Sequence, residues 1–361
     1  MAKPFLVIMA GGRGERFWPR SRRNYPKQFL AFNGEQSLLQ ESVARIRPLT
    51  DDARIYVVTN KEQVTAVLTQ LPFLPISNII VEPEGRNTAP CIGLAAAYIQ
   101  KRHPEEDPVI AFLPSDSMVF SPEEMRRVLE AGFTICDQQD TGVIYGVRPS
   151  RPETGFGYIE LGKKLGTYQE VPFHQVAAFK EKPDGETARK YVACGEYLWN
   201  GGVFVWKLDR LMLEIRESLP GLYQGLVEFI NYIGKPDEMS KLTEIYPTLP
   251  ATSVDYGILE KSSHLVVVPT DYGWDDLGSW SALERFLPRD ESDNVIQGQH
   301  VGVDTKDCII HSPGKLVTTL GVSDLIIVET DDVLMVCHKD QTQHIKKLLQ
   351  KLADEGHRDL L

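Results

Sequence analysis

The chain has 361 residues, of which 42% are hydrophobic, 25% charged and 9% aromatic, a balance that gives a globular protein room for one large core and a smaller second unit. Fifty acidic against thirty-nine basic residues leave a net charge of −11, so nucleic acid and anionic membrane are excluded as main partners, while a local cationic cluster can still hold a small anion. No apolar run approaches a membrane span, the five cysteines form no C-x-x-C pair and the eight histidines form no ligand cluster. Neither a disulfide framework nor a zinc site is expected, and the chain reads as cytoplasmic.

The first apolar stretch, 5–9, is short and runs into Gly11-Gly12-Arg13 rather than a small-residue cleavage site, so it reads as a buried strand and not a signal peptide. Segments 55–59, 79–81, 109–113 and 143–146 are also short, β-branched and bounded by turn residues, and are expected as strands. Between them, 38–45, 63–71, 88–101 and 122–138 have helical spacing, with Thr88 as an N-cap and Pro122 in a first turn after Ser121. This alternation predicts an α/β fold with a mixed, mostly parallel sheet, helices on both faces and ligands beyond the strands' carboxyl ends. The loops after Met9, Val81, Leu113 and Gly146 are therefore the ones to watch.

From 154 to 280 the pattern is less regular and rich in Gly and aromatic residues, and it reads as an insertion closing over the ligand edge. The charged stretch 287–293, with Pro288, marks a boundary, giving units 1–287 and 288–361. Short apolar runs at 301–303, 308–310, 316–319, 325–328 and 333–336 predict a small C-terminal β unit, a β-helix of few coils, followed by a helix over 341–352. With so few residues it should pack on the first unit and on a second subunit, giving a homodimer.

The loop Ala10-Gly11-Gly12-Arg13-Gly14-Glu15-Arg16 leaves the first strand directly. Its glycines let backbone N–H groups approach phosphate oxygens. Position 17 is Phe, which breaks the dinucleotide fingerprint, and no G-x-x-x-x-G-K-[ST] string occurs, so this is a phosphate loop of another kind. Arg13, Arg16, Arg20, Arg22, Arg23 and Lys27 follow within fifteen residues, a charge density that suits a polyphosphate.

These residues carry a resemblance. Gly11-Gly12-Arg13-Gly14-Glu15-Arg16-Phe17-Trp18-Pro19 with Pro26-Lys27-Gln28 resembles the signature of sugar-nucleotide pyrophosphorylases, and more specifically of mannose-1-phosphate guanylyltransferases. The likeness continues in family order through Glu82-Pro83-x-x-Arg86-Asn87-Thr88-Ala89-Pro90, Pro114-Ser115-Asp116, Thr154-Gly155-Phe156-Gly157-Tyr158-Ile159 and Phe179-Lys180-Glu181-Lys182-Pro183. Trp199-Asn200-Gly201-Gly202, Ser253-Val254-Asp255-Tyr256 and Trp274-Asp275-Asp276-Leu277-Gly278-Ser279-Trp280 complete it, over residues 5–285.

The resemblance implies a Rossmann-like nucleotidyltransferase domain with a short left-handed β-helix-like unit behind it. It implies transfer of GMP from GTP to α-D-mannose 1-phosphate, giving GDP-mannose and pyrophosphate, with Mg²⁺ or another divalent cation. Ala10, Gly11, Gly12, Arg13, Gly14, Glu15, Arg16 and Lys27, with Arg86, Asn87, Thr88, Pro114, Ser115 and Asp116, would hold the nucleotide. Gly146, Gly157, Glu181, Lys182, Asn200 and Gly201 would hold the sugar phosphate. Arg16, Lys27 and Lys182 would neutralise charge, and Asp116 and Asp276 would hold the metal.

From residues alone, Asp116 reads equally as a turn or cap residue, Asp275 and Asp276 are not distinguishable, and Glu181-Lys182 reads as a solvated pair. Position 117 is Ser where many relatives carry His, and Gly201-Gly202-Val203 departs from the usual small residue followed by Gly-Met. No isomerase domain is expected after residue 361. Two alternatives stand: the same chemistry with another base or sugar, and a non-catalytic sugar-nucleotide sensor.

Overall fold

The computed structural model describes every residue except Met1 and Arg13. In chain order run β1 (Phe5–Met9), α1 (Leu38–Ile46), β2 (Ile55–Asn60), α2 (Val64–Gln70), β3 (Ile79–Glu82), α3 (Thr88–Arg102), β4 (Val109–Pro114), β5 (Met118–Val119), α4 (Pro122–Gln139) and β6 (Gly142–Val147). Then come β7 (Gly157–Tyr168), β8 (Val171–Glu181), α5 (Gly185–Cys194), β9 (Tyr197–Lys207), α6 (Leu208–Ser218), α7 (Pro220–Ile230), α8 (Glu238–Ile245), β10 (Leu265–Thr270) and β11 (Trp274–Asp275).

A nine-stranded sheet takes the order β3-β2-β1-β4-β9-β6-β10-β8-β7. Pairing is parallel from β3 to β4 and again between β6 and β10, and antiparallel elsewhere. The central strand shows why the apolar runs are continuous. Phe5 and Val7 join a core with α3, α6, α7 and α8, while Leu6 and Ile8, one residue out of phase, join a second core with α1, α2 and α4. A strand buried on both faces has no polar side to alternate with.

Two expectations are corrected here. Segment 154–280 is not an insertion over the sheet: β7 to β10 complete it, with β9 lying antiparallel between β4 and β6. Val203, Phe204, Val205 and Trp206 of β9 are buried, and the ladder to β6 breaks register between Ile144 and Gly146, opposite the Asn200-Gly201-Gly202 stretch. Such a break re-aims side chains next to a site. Thr88 is not the cap of α3. Asn87 holds that place, accepting from the Thr88 N–H at 2.9 Å, while the Thr88 hydroxyl accepts from the Val254 N–H at 2.9 Å.

The C-terminal strands are β12 (Val295–Lys306), β13 (Ile309–Ser323), β14 (Leu325–Glu329) and β15 (Leu334–His338), followed by α9 (Ile345–Asp354). β12, β13 and β14 stack in parallel, with Ile296, Ile310 and Ile327 in register, as successive coils require. Its inner core is small, built on Cys308, Ile310 and Ile327. The opposite faces, Val295, Ile309, Ile326 and Val328, pack on Phe17, Trp18, Phe32 and Trp280, so most of this unit's burial is made against the first. No helix among the described residues is long and apolar enough to cross a membrane.

Candidate active site

β1 ends at Met9 and the chain turns into the glycine loop. Gln28, itself buried, ties that loop down: its Nε2 donates to the carbonyls of Ala10 at 3.2 Å and Gly12 at 3.1 Å and to Gln63 Oε1 at 3.1 Å. The N–H of a trans peptide points opposite its carbonyl, so with the Ala10 carbonyl held inward the Gly11 N–H turns to the loop's outer side. Beneath Gly11 lies Glu82, whose carboxyl is pushed up to about 7 by burial and accepts from the Tyr246 hydroxyl.

Gly14 has φ +59, and a Cβ there would lie 2.4 Å from Lys27 Cβ and 2.5 Å from Lys27 N. Only glycine lets the two segments approach this closely. Lys27 is buried; its Nζ donates to the Asp276 carbonyl at 2.6 Å and lies 3.0 Å from Asp116 Oδ2.

Asp116 and Asp276, distant in sequence, are brought together by a two-stranded ribbon in which Asp275 of β11 pairs with Met118 of β5. Asp275 faces inward, bound to the Arg285 guanidinium and accepting from the Leu277 N–H at 2.8 Å. Its neighbour Asp276 faces the cavity instead. Burial raises the Asp276 carboxyl, against the pull of Lys27.

One cavity of about 610 Å³ is lined by Gly14, Glu15, Arg16, Lys27, Thr88, Pro114, Asp116, Gly157, Glu181, Asn200, Gly201 and Asp276. Ala10, Gly11, Gly12, Arg86, Asn87, Ser115, Gly146 and Lys182 are not on its wall. Ala10 and Ser115 are buried. A Cβ on Gly146 would meet Leu198 and Val267, so this position serves packing. Arg86 donates to the Leu249 carbonyl at 2.8 Å and pairs with Glu84. Lys182 is paired with Glu181; burial is the strongest single influence and works against its charge, but the Glu181 bond together with the charges of Glu181, Tyr256 and Asp255 leaves the ammonium raised. Arg13 lies outside the described residues.

Two charged wall residues were given no role from sequence. Asp255, within a quoted motif but given no role there, accepts from Asn200 Nδ2 at 2.8 Å; burial first and Glu181 second push it up to about 6. Lys346 of α9 reaches the same cavity from the C-terminal unit. The wall thus has a cationic end at the glycine loop, a carboxylate-and-amide end at Glu181, Asn200 and Asp255, and the two aspartates with Lys27 between.

The nucleotidyl transferase family model matches residues 6–292, and a MannoseP isomerase/GMP-like beta-helix domain model matches residues 298–352. The chain belongs to the nucleotidyl transferase family. This nucleotidyl transferase is 34% identical over 361 residues to a mannose-1-phosphate guanylyltransferase of Escherichia coli (strain K12), covering 99% of this chain and 75% of the relative. A mannose-1-phosphate guanylyltransferase of Klebsiella pneumoniae is 38% identical over 349 residues, 96% of this chain and 73% of that one. Among solved structures, a Thermus thermophilus protein described as a mannose-1-phosphate geranyltransferase superposes with a TM-score of 0.85 at 33% identity, covering 97% of this chain and 99% of that chain.

Proposed function

We propose that this nucleotidyl transferase transfers GMP from GTP to α-D-mannose 1-phosphate, releasing GDP-mannose and pyrophosphate. The observation that carries the reading is the two-ended cavity. The triphosphate would lie against the Gly14–Arg16 end of the glycine loop with Lys27, and the sugar hydroxyls against Glu181, Asn200 and Asp255, with Lys182 at the sugar phosphate. The charged wall suits a nucleotide and not a prenyl chain, and the Escherichia coli and Klebsiella relatives are named for the guanylyl transfer.

In this arrangement a phosphate oxygen of the sugar attacks the α-phosphorus of GTP, the bond to the β-phosphate oxygen breaks, and pyrophosphate leaves. No covalent protein intermediate is required. The residues' work is alignment of the two phosphates and neutralisation of charge, which is where such sites gain most of their rate.

Asp116 and Asp276 fit a divalent cation: both border the Lys27 ammonium on the cavity wall, and both offer hard carboxylate oxygens. Two carboxylates that share the ion with substrate phosphates suit Mg²⁺. When bound, the ion would polarise the α-phosphoryl group. Pyrophosphate release with mannose 1-phosphate and Mg²⁺, compared across GTP, ATP, UTP and dTTP, is expected to favour GTP strongly. Fast release with another nucleotide would discard guanine; none at all, from folded protein that binds GDP-mannose, would favour the sensor.

We further infer the unit boundary at 287/288 and a homodimer formed through the C-terminal unit. Val301 and Val303 of β12 lie beside Leu316 and Leu320 of β13 on neighbouring strands, all four exposed, an apolar face that a second copy would cover. Light scattering should give twice the chain mass and Leu320→Lys should shift it towards one. A wild-type monomer at micromolar concentration would sink this assignment.

A further inference from the structure

The sequence offers six cations near the glycine loop, yet the fold sends several elsewhere. Arg20 donates to the Ala31 carbonyl at 3.0 Å, and Arg22 is bound to the Leu360 carbonyl and to Asp332 at 2.7 Å. Among the described members of that run, only Arg16 and Lys27 reach the cavity wall. A nucleoside triphosphate carries several negative charges, and the loop end of the cavity has a further cation of different origin.

We propose that Lys346 is a phosphate-binding residue of this site, contacting the β- and γ-phosphates that leave as pyrophosphate. Lys346 lies on the wall with Gly14, Arg16 and Lys27, and its Nζ is 3.5 Å from Glu15 Oε2. Three residues earlier, Gln343 Oε1 accepts from Arg16 Nη1 at 3.4 Å. Residues 343 and 346 therefore straddle positions 15 and 16, and the C-terminal unit completes the nucleotide end of a site whose other walls belong to the first unit. Lys346 is well exposed, so its ammonium can leave Glu15 for a stronger anion; an exposed ion pair is a weak competitor for a phosphate. It occupies the first turn of α9, where the helix's own dipole also favours an anion.

This assignment rests on reading the loop as a triphosphate cradle, and the test separates the two. In the reverse direction, with GDP-mannose and pyrophosphate, Lys346→Ala should raise KM for pyrophosphate about tenfold. KM for GDP-mannose should stay within about twofold, since that ligand lacks the leaving phosphates. Lys346→Arg should keep most of the affinity, and Lys347→Ala, which removes a charge from the same helix away from the wall, should behave as wild type. A merely structural role would lower Tm and move both KM values together. Lys346→Gln, longer and polar, serves if the alanine variant misfolds. An unmoved pyrophosphate KM overturns the proposal. If Arg16→Ala then raises that KM, only Lys346 is wrongly assigned; if Arg16→Ala leaves it unmoved too, the cradle reading fails with it.

Discussion

Asp276→Asn is expected to leave Tm unchanged and to lower pyrophosphate release by about 10²–10³-fold, the usual cost of removing one charge-stabilising group from a preorganised site. The neighbouring Asp275→Asn should do the reverse. Asp275 is buried, clamps Arg285 and accepts from the Leu277 N–H, so its loss should destabilise the fold by about 1–2 kcal/mol, discounted because Arg285 is a third exposed. That is a Tm lower by several degrees with a smaller loss of activity. Raising Mg²⁺ should recover part of the Asp276→Asn activity and none of the Asp275→Asn stability. Activity near wild type in Asp276→Asn, or a silent Asp275→Asn, would reverse the roles given to the two residues.

Gly14→Ala should be nearly as damaging. Left-handed backbone costs an alanine only about 1–2 kcal/mol, so strain alone would leave a working enzyme. The overlap with Lys27 decides the outcome: a Cβ 2.5 Å from a backbone nitrogen cannot be accommodated, so the loop or Lys27 must move. Either movement takes the Lys27 ammonium away from Asp116 and the Asp276 carbonyl. A displacement of this size is expected to cost about 10²-fold in kcat/KM with a modest fall in Tm. Gly85→Ala, whose Cβ would meet nothing within 4 Å, is the control. Steady-state kinetics on both variants checks this, and a Gly14→Ala enzyme within about threefold of wild type would show that the loop is not held against Lys27.

Much of the first half was legible in the sequence because β1, β2 and β4 are buried on both faces and read as unbroken apolar runs between turn residues. β7 and β8 were hidden for the opposite reason. They are long, partly exposed and interrupted by register shifts, so neither a period of two nor a continuous apolar run stands out. The two metal-site aspartates could be paired only by resemblance, since a ribbon of two residues per strand leaves no periodic trace. Arg20 and Arg22 show the limit of charge counting: close to Arg16 in sequence, they are turned towards other carbonyls and a carboxylate. Lys346 was invisible for want of any local signal. Its helix reads as an ordinary amphipathic one, and only docking places that lysine beside residue 15.

The packing of Phe17 and Trp18 has a consequence for how the chain matures. These side chains pack with Leu30, Phe32 and Leu38 nearby in sequence, but also with Trp280, Val295, Ile309 and Ile326, and the Trp18 carbonyl accepts from Trp280 Nε1 at 3.1 Å. During synthesis the glycine loop leaves the ribosome early, with its distant anchors still untranslated. The strands β1 to β4 can pair before that point, because their contacts are closer in sequence. The nucleotide end of the cavity cannot take its final shape until the coils of the β unit have been made and docked. Competence for chemistry is thus one of the last properties this polypeptide acquires.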